Sequence, residues 1–424
     1  MSFLSRAAAL LLLALSLGLA PLNASGDDRS TSPVLKLEGG KWFDGEAFVD
    51  ADWYVVNGRF TVRTPEHVDA TIHLDGRFLL PPLADAHNHD AQNIWSASRS
   101  IDKNLSAGVF YSGQMCANPS AVAGYKGLLT RPSTLDVVFT GACITSSDGH
   151  PLGLVMRDQP DASPDEIREG WTVVDSMDDV ERVWPGIAER HPDIIKLILV
   201  NSENFAKNRL DPDLFGFNGL DPSLVKPLVQ RAHGDGVRVV VHTDSAADFE
   251  VAVAAGADMI GHLPGYRFSR EMQPDDYRIS DVAIAEAAKR GTVVMTTASV
   301  ARYFLQAKPE HTDALRSVQI DNLRRLREAG VKLAIGSDLF AGTAVDEILY
   351  LDALAIAPTS EWIRLAVTDT PRLLFPDRKI GRFEEGMEAS LIAYDTDPIS
   401  NPTILRSPSL IIKQGNLLAV GMVE

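Results

Sequence analysis

The chain has 424 residues, 45% of them hydrophobic, and a formal net charge of −17. That apolar content at that length supports one large α/β domain or two domains and argues against a disordered chain. The acidic balance, with no basic run to offset it, argues against nucleic acid and anionic membrane as partners.

In "MSFLSRAAALLLLALSLGLAPLNASGDD" a single basic residue, Arg6, precedes the apolar stretch Ala7 to Ala20, and small and polar residues follow. This is the layout of a secretory signal peptide, assigned to 1–25, and it is too short and wrongly flanked for a membrane span. No twin arginine and no cysteine near the cleavage region are present. The expectation is therefore general export to the periplasm or the medium, with no membrane span in the mature protein and a homo-oligomer left open. In an exported chain the two cysteines, Cys116 and Cys143, either pair or stay as buried thiols.

Between Val34 and Pro82 the sequence is rich in β-branched and aromatic residues and broken by the turn pairs Asp44-Gly45, Asn57-Gly58 and Asp75-Gly76. It reads as a small antiparallel β unit. From about Leu79 to Phe375 short apolar runs alternate with helical patterns, several of which stop at a glycine. The runs are "FLLPPLADAHNH", "AGVFYSGQM", "LDVVFTGACITS", "DIIKLILV", "GVRVVVHT", "ADMIGHL", "GTVVMTTAS" and "GVKLAIGSD". Eight such runs favour a parallel (β/α)8 TIM-like barrel over an open sheet, and no GxGxxG loop follows any of them. Strand-like alternation returns after 376. The expected organisation is a barrel over 81–375 and a discontinuous β-sandwich domain from 33–80 and 376–424.

In "LADAHNHD" side chains alternate along a strand, so Asp85, His87 and His89 share one face. Neighbours on that face lie roughly 7 Å apart, a span two imidazoles can close onto one cation. Alone the pair is more often two surface histidines than a metal site. However, "VRVVVHTD" brings His242 to a strand end, "ADMIGHLPG" brings His262, and "VKLAIGSDLF" brings Asp338. Each has an ordinary reading singly, as a satisfied core histidine or a helix cap. Together, on strands whose C-terminal ends converge, they point to a metal.

Lys196, alone among aliphatic residues in "DIIKLILV", must snorkel out or be held inside by a partner. Beside a dication an ammonium would be repelled. A lysine carbamate would instead offer an anionic oxygen pair able to bridge two metals.

The order HxH, Lys, His, His, Asp on the first, fourth, fifth, sixth and eighth strands resembles the amidohydrolase superfamily, in its binuclear subtype with carboxylated lysine. The flanking β segments look like those of imidazolonepropionase-like and prolidase-like members, and the resemblance spans Leu35 to Val420. It implies that His87, His89 and Asp338 hold one metal, that His242 and His262 hold the other, and that carboxylated Lys196 bridges them. Ligand chemistry suits two divalent ions, Zn2+ before Mn, Co or Ni. The sequence departs from the family at Pro82-Leu83, where Pro-Gly is usual, at Gly261, where Glu is common, and at Thr370-Pro371-Arg372 in place of Asn-Pro-Ala.

The resemblance also implies the chemistry. Water between two metals becomes hydroxide near neutral pH and attacks the carbonyl, while Asp338 takes the proton and passes it to the leaving nitrogen. His150, on the Gly-flanked loop "ITSSDGHPLG", is a candidate contact for the substrate carbonyl. Tyr266, Arg267 and Tyr303 are candidate anchors for a substrate carboxylate. The expected substrate is a small-molecule amide, a dipeptide or an N-acyl amino acid. Cyclic amide, lactone or other ester hydrolysis is the alternative. A deaminase is disfavoured because Ser245 stands where a glutamate would follow the fifth-strand histidine. A metal-free periplasmic binding protein is disfavoured by the full ligand set.

Overall fold

Two-residue turns fold the N-terminal β unit. Asn57 and Gly58, at φ 52° and 68°, supply the left-handed pair that such a hairpin requires. They join the strands Phe48–Val56 and Arg59–Thr61 with Val56 opposite Arg59. The computed structural model describes residues 33–129, 131–158, 161, 170–269 and 272–418, so the signal peptide expected over 1–25 lies outside the described residues. Among the described residues no helix is long and apolar enough to cross a membrane.

The first and last parts of the described chain meet in one eight-stranded sheet, where Phe78–Leu80 pairs antiparallel with Leu391–Tyr394. Where the sequence leads one to expect a β-sandwich, the hydrogen bonding of these strands runs through one sheet. A bulge in Leu35–Phe43, with Gly39 at φ 77°, accounts for this. The first half of that strand pairs with Ala70–His73 and the second half with Phe78–Leu80, so pairing continues around one core. Leu37, Trp42, Val55, Phe60, Leu79 and Ile412 fill that core.

The middle of the chain alternates parallel strands with helices. Ser245 caps Ala246–Ala255 and Gly256 ends it at φ 92°; Ser280 caps Asp281–Arg290 and Gly291 ends it at φ 72°. These are the stops that the glycines predict, since αL geometry costs a glycine nothing sterically. The strands Leu83–Asn88, Val109–Gln114 and Asp136–Phe139 form one parallel sheet. Seven more form a second, in the order Trp171–Val173, Cys143–Thr145, Ile194–Ile198, Arg238–His242, Met259–Ile260, Val293–Met295, Lys332–Ala334.

The fold is thus TIM-barrel-like α/β, written as two parallel sheets where one eight-stranded ring was expected. The run "LDVVFTGACITS" breaks at Thr140–Ala142 into two strands, with Gly141 at φ 64°, and Trp171–Val173 is a strand that periodicity did not reveal. Between the first and last parallel strands the ladder is interrupted by a side chain. Ser337 donates its N–H to the Asp85 carboxylate at 3.0 Å, while Ala86 N–H still reaches Ile335 O and Asp338 N–H reaches His87 O, both at 2.7 Å. At the other junction a disulfide joins Cys116, beyond Val109–Gln114, to Cys143, with Cα atoms 4.9 Å apart.

Candidate metal centre

The Leu83–Asn88 strand is buried along its whole length, and its inward face carries Asp85 and His87, with His89 just past its end. Asp85 also accepts from Ser337 Oγ at 2.5 Å and from His87 N–H at 3.1 Å, which fixes the backbone that presents the histidine. Burial pushes the Asp85 carboxyl up to about 7 against these hydrogen bonds.

The imidazoles converge. Ring centroids are 4.4 Å apart for His87 and His262, 4.3 Å for His262 and His242, 5.8 Å for His87 and His89. Asp338 faces three of them, with oxygens 3.3 Å from His89 Nε2, 3.6 Å from His87 Nε2 and 3.9 Å from His262 Nδ1. Ligand atoms of His87, His262 and Asp338 all lie within 4.8 Å of one another, a set that could hold a metal ion. Burial alone would raise the Asp338 carboxyl, but His87 and His89 hold it well below the usual carboxylate range. Burial first, with Lys196 beside His87 and with His242, His87 and Lys196 beside His262, holds both imidazoles well below the ordinary histidine value, which favours the form able to ligate.

The partners of the second ring nitrogens bear directly on whether a cation fits. His87 Nδ1–H donates to Gly261 O at 2.8 Å, and His242 Nε2–H donates to Asp244 at 3.1 Å. His262 Nδ1 meets Thr297 Oγ1 at 3.0 Å, and His89 Nδ1 meets the Gln92 side-chain amide at 3.0 Å. His87, His89 and His242 therefore each have one nitrogen held by the protein and another left for a ligand, the arrangement typical of metal-binding histidines, whereas the His262 nitrogen that faces Asp338 is the one bonded to Thr297.

Lys196 lies in the middle of Ile194–Ile198, 1% exposed, and its buried Nζ has no hydrogen-bond partner among the described residues. Burial brings its amine down to about 7, against the opposing pull of Asp338. An ammonium held without acceptors is costly, and a neutral amine is the form that adds CO2. The residues present thus fit a divalent cation: nitrogen and oxygen donors and no thiolate, with the Lys196 amine buried beside them.

His150 is brought to the same cluster, stacked 5.1 Å from His242, with its Nδ1 buried and without a partner among the described residues. Tyr266 and Arg267 are there too, but both bond to Asp244. Burial would raise the Asp244 carboxyl, but Arg267, His242 and Tyr266 together hold it far below the carboxylate range. Tyr303 is 60% exposed, with its ring centroid 5.4 Å from that of Phe304. Asp244, Gln92 and Thr297 were not singled out from the sequence. The signal for Asp244 was present, since in "HTD" it stands two residues from His242, the same spacing that pairs His87 with His89.

The sequence profile of the amidohydrolase family matches residues 197–420, more than half of the chain. The chain belongs to the amidohydrolase family. Members of this family generally use divalent metals. Among characterised proteins, ochratoxinase of Aspergillus niger is 23% identical over 294 residues, covering 65% of this chain and 58% of its own length. This chain therefore spans less than two thirds of that relative. Among solved structures, an Xaa-Pro dipeptidase with bound methionine in its active site superposes with a TM-score of 0.71 at 20% identity, over 91% of this chain and 99% of that one. The A. niger ochratoxinase crystal structure superposes at 0.69 with 17% identity, over 92% and 96%. At these identities the likeness is one of fold.

Proposed function

We propose that the protein is an exported, metal-dependent hydrolase of carbon–nitrogen bonds that cleaves a dipeptide or N-acyl amino acid. The observation that carries this reading is the buried, partnerless Lys196 Nζ among His87, His89, His242, His262 and Asp338. In this reading His87, His89 and Asp338 would hold one Zn2+, His242 and His262 would hold a second, and Lys196, as a carbamate, would supply anionic oxygen ligands. The wider fold we propose is a closed (β/α)8 barrel, supported by the backbone bonds that link Leu83–Asn88 to the segment after Lys332–Ala334.

Two such ions, when bound, lower the pKa of water and polarise an amide carbonyl. The chain's own residues supply the rest. Asp338, ionised and facing His87 and His89, receives the water proton and delivers it to the departing nitrogen. His150, whose buried Nδ1 has no partner among the described residues, is our candidate donor to the substrate carbonyl. Export is supported by the Ala7 to Ala20 stretch and by the Cys116–Cys143 disulfide, which suits an oxidising compartment.

The test is amino-acid release from a panel of dipeptides and N-acyl amino acids, by protein loaded with zinc and bicarbonate, with K196A as control. Release from one group of substrates, lost in K196A, is the expected result. No release from any member with metal bound would reject amide hydrolysis of this class.

A further inference from the structure

Large apolar side chains left exposed among the described residues include Ile94 and Trp95, which follow His89, and Leu210 and Phe215, which follow Ile194–Ile198. Tyr303 follows Val293–Met295, and Phe340 follows Asp338. Scattered exposed apolar residues are ordinary. These six, however, stand on connections that leave the C-terminal ends of the parallel strands, the side on which His89, His262 and Asp338 lie.

Phe340 is in contact with the site. It is 73% exposed, yet its ring lies over that of His89, with centroids 5.5 Å apart and planes inclined by 23°. The turn that presents it is fixed. Asp338 adopts φ 51° with its N–H bonded to His87 O, and Leu339 N–H donates to Ser337 Oγ at 3.4 Å. Contact with the imidazole accounts for part of the ring, and the rest is open to whatever enters beside Asp338.

We propose that Phe340 is a specificity-determining residue, and that the substrate carries a flat aromatic group beside its scissile amide which stacks on this ring. The proposal rests on the hydrolase reading above. An aromatic partner is favoured over an aliphatic one because offset or edge-on ring contacts add to area burial. A substrate is favoured over another protein because the ring is continuous with His89, so its occupant lies at the metal centre.

The test uses matched probes that are not cleaved, benzylphosphonate and ethylphosphonate, titrated calorimetrically into the metal-loaded enzyme. Wild type should bind the benzyl compound about tenfold more tightly. F340A should abolish that preference and F340W should retain it. Equal affinities in wild type, a preference that survives F340A, or binding of neither probe would overturn the proposal. Cleavage of aliphatic and aromatic amides with equal efficiency would overturn it while leaving hydrolysis intact. A benzyl preference without any amide cleavage would reject the hydrolase reading alone.

Discussion

A Cβ on Gly261 would stand 2.7 Å from Lys196 Nζ and 3.5 Å from His87 Cε1. The absence of a side chain at this position is therefore what leaves room around the buried amine. Gly261→Ala should move Nζ rather than the backbone, because a lysine tip is the softer neighbour. Turnover should fall at least about tenfold, as misplacement within a site commonly costs, while the melting temperature changes by only a few degrees. Unaltered turnover would show that Lys196 Nζ has no required position.

Asp244 has a double task, orienting His242 and neutralising Arg267. Asp244→Asn keeps an acceptor for His242 but removes the charge that Arg267 meets. Loss of a buried partner charge should destabilise the fold by on the order of 3 kcal/mol. Metal affinity should weaken about 10- to 100-fold, as loss of such orienting partners does. The double variant D244N/R267M should recover much of the stability and none of the metal affinity, measured by denaturation and by competitive chelation. Recovery of both would assign Asp244 a role in packing only.

The Cys116–Cys143 disulfide closes a loop of 27 residues across the junction of the two parallel sheets. Constraining a loop of that size in the unfolded chain is worth about 3.5 kcal/mol. The C116A/C143A variant should melt several degrees lower, and a reductant should lower wild type towards the same temperature. Identical melting curves would remove the stabilising role.

The parts of the site legible in the sequence were those fixed by strand periodicity. His87, His242, His262 and Asp338 were placed by counting from apolar runs, and the helix stops at Gly256 and Gly291 by their αL geometry. What remained hidden depends on contacts between strands. Asp244 takes Tyr266 and Arg267, which the sequence offered as anchors for a substrate carboxylate. Asp85 replaces a strand carbonyl as acceptor for Ser337, which interrupts the ladder that a simple ring would have. Trp171–Val173 is only three residues long, too short for periodicity to register.

Asp338→Asn separates proton transfer from metal binding. The amide keeps an oxygen ligand but cannot accept the proton, so kcat should drop about 10²- to 10⁴-fold, with metal content changed far less. Unchanged kcat would remove Asp338 from proton transfer.

Metal stoichiometry in the presence of bicarbonate tests the central claim most directly, by elemental analysis of purified wild type and K196A after zinc loading and desalting. The account predicts two zinc ions per wild-type chain and one or fewer in K196A. Two retained ions in K196A would contradict a bridging role for Lys196.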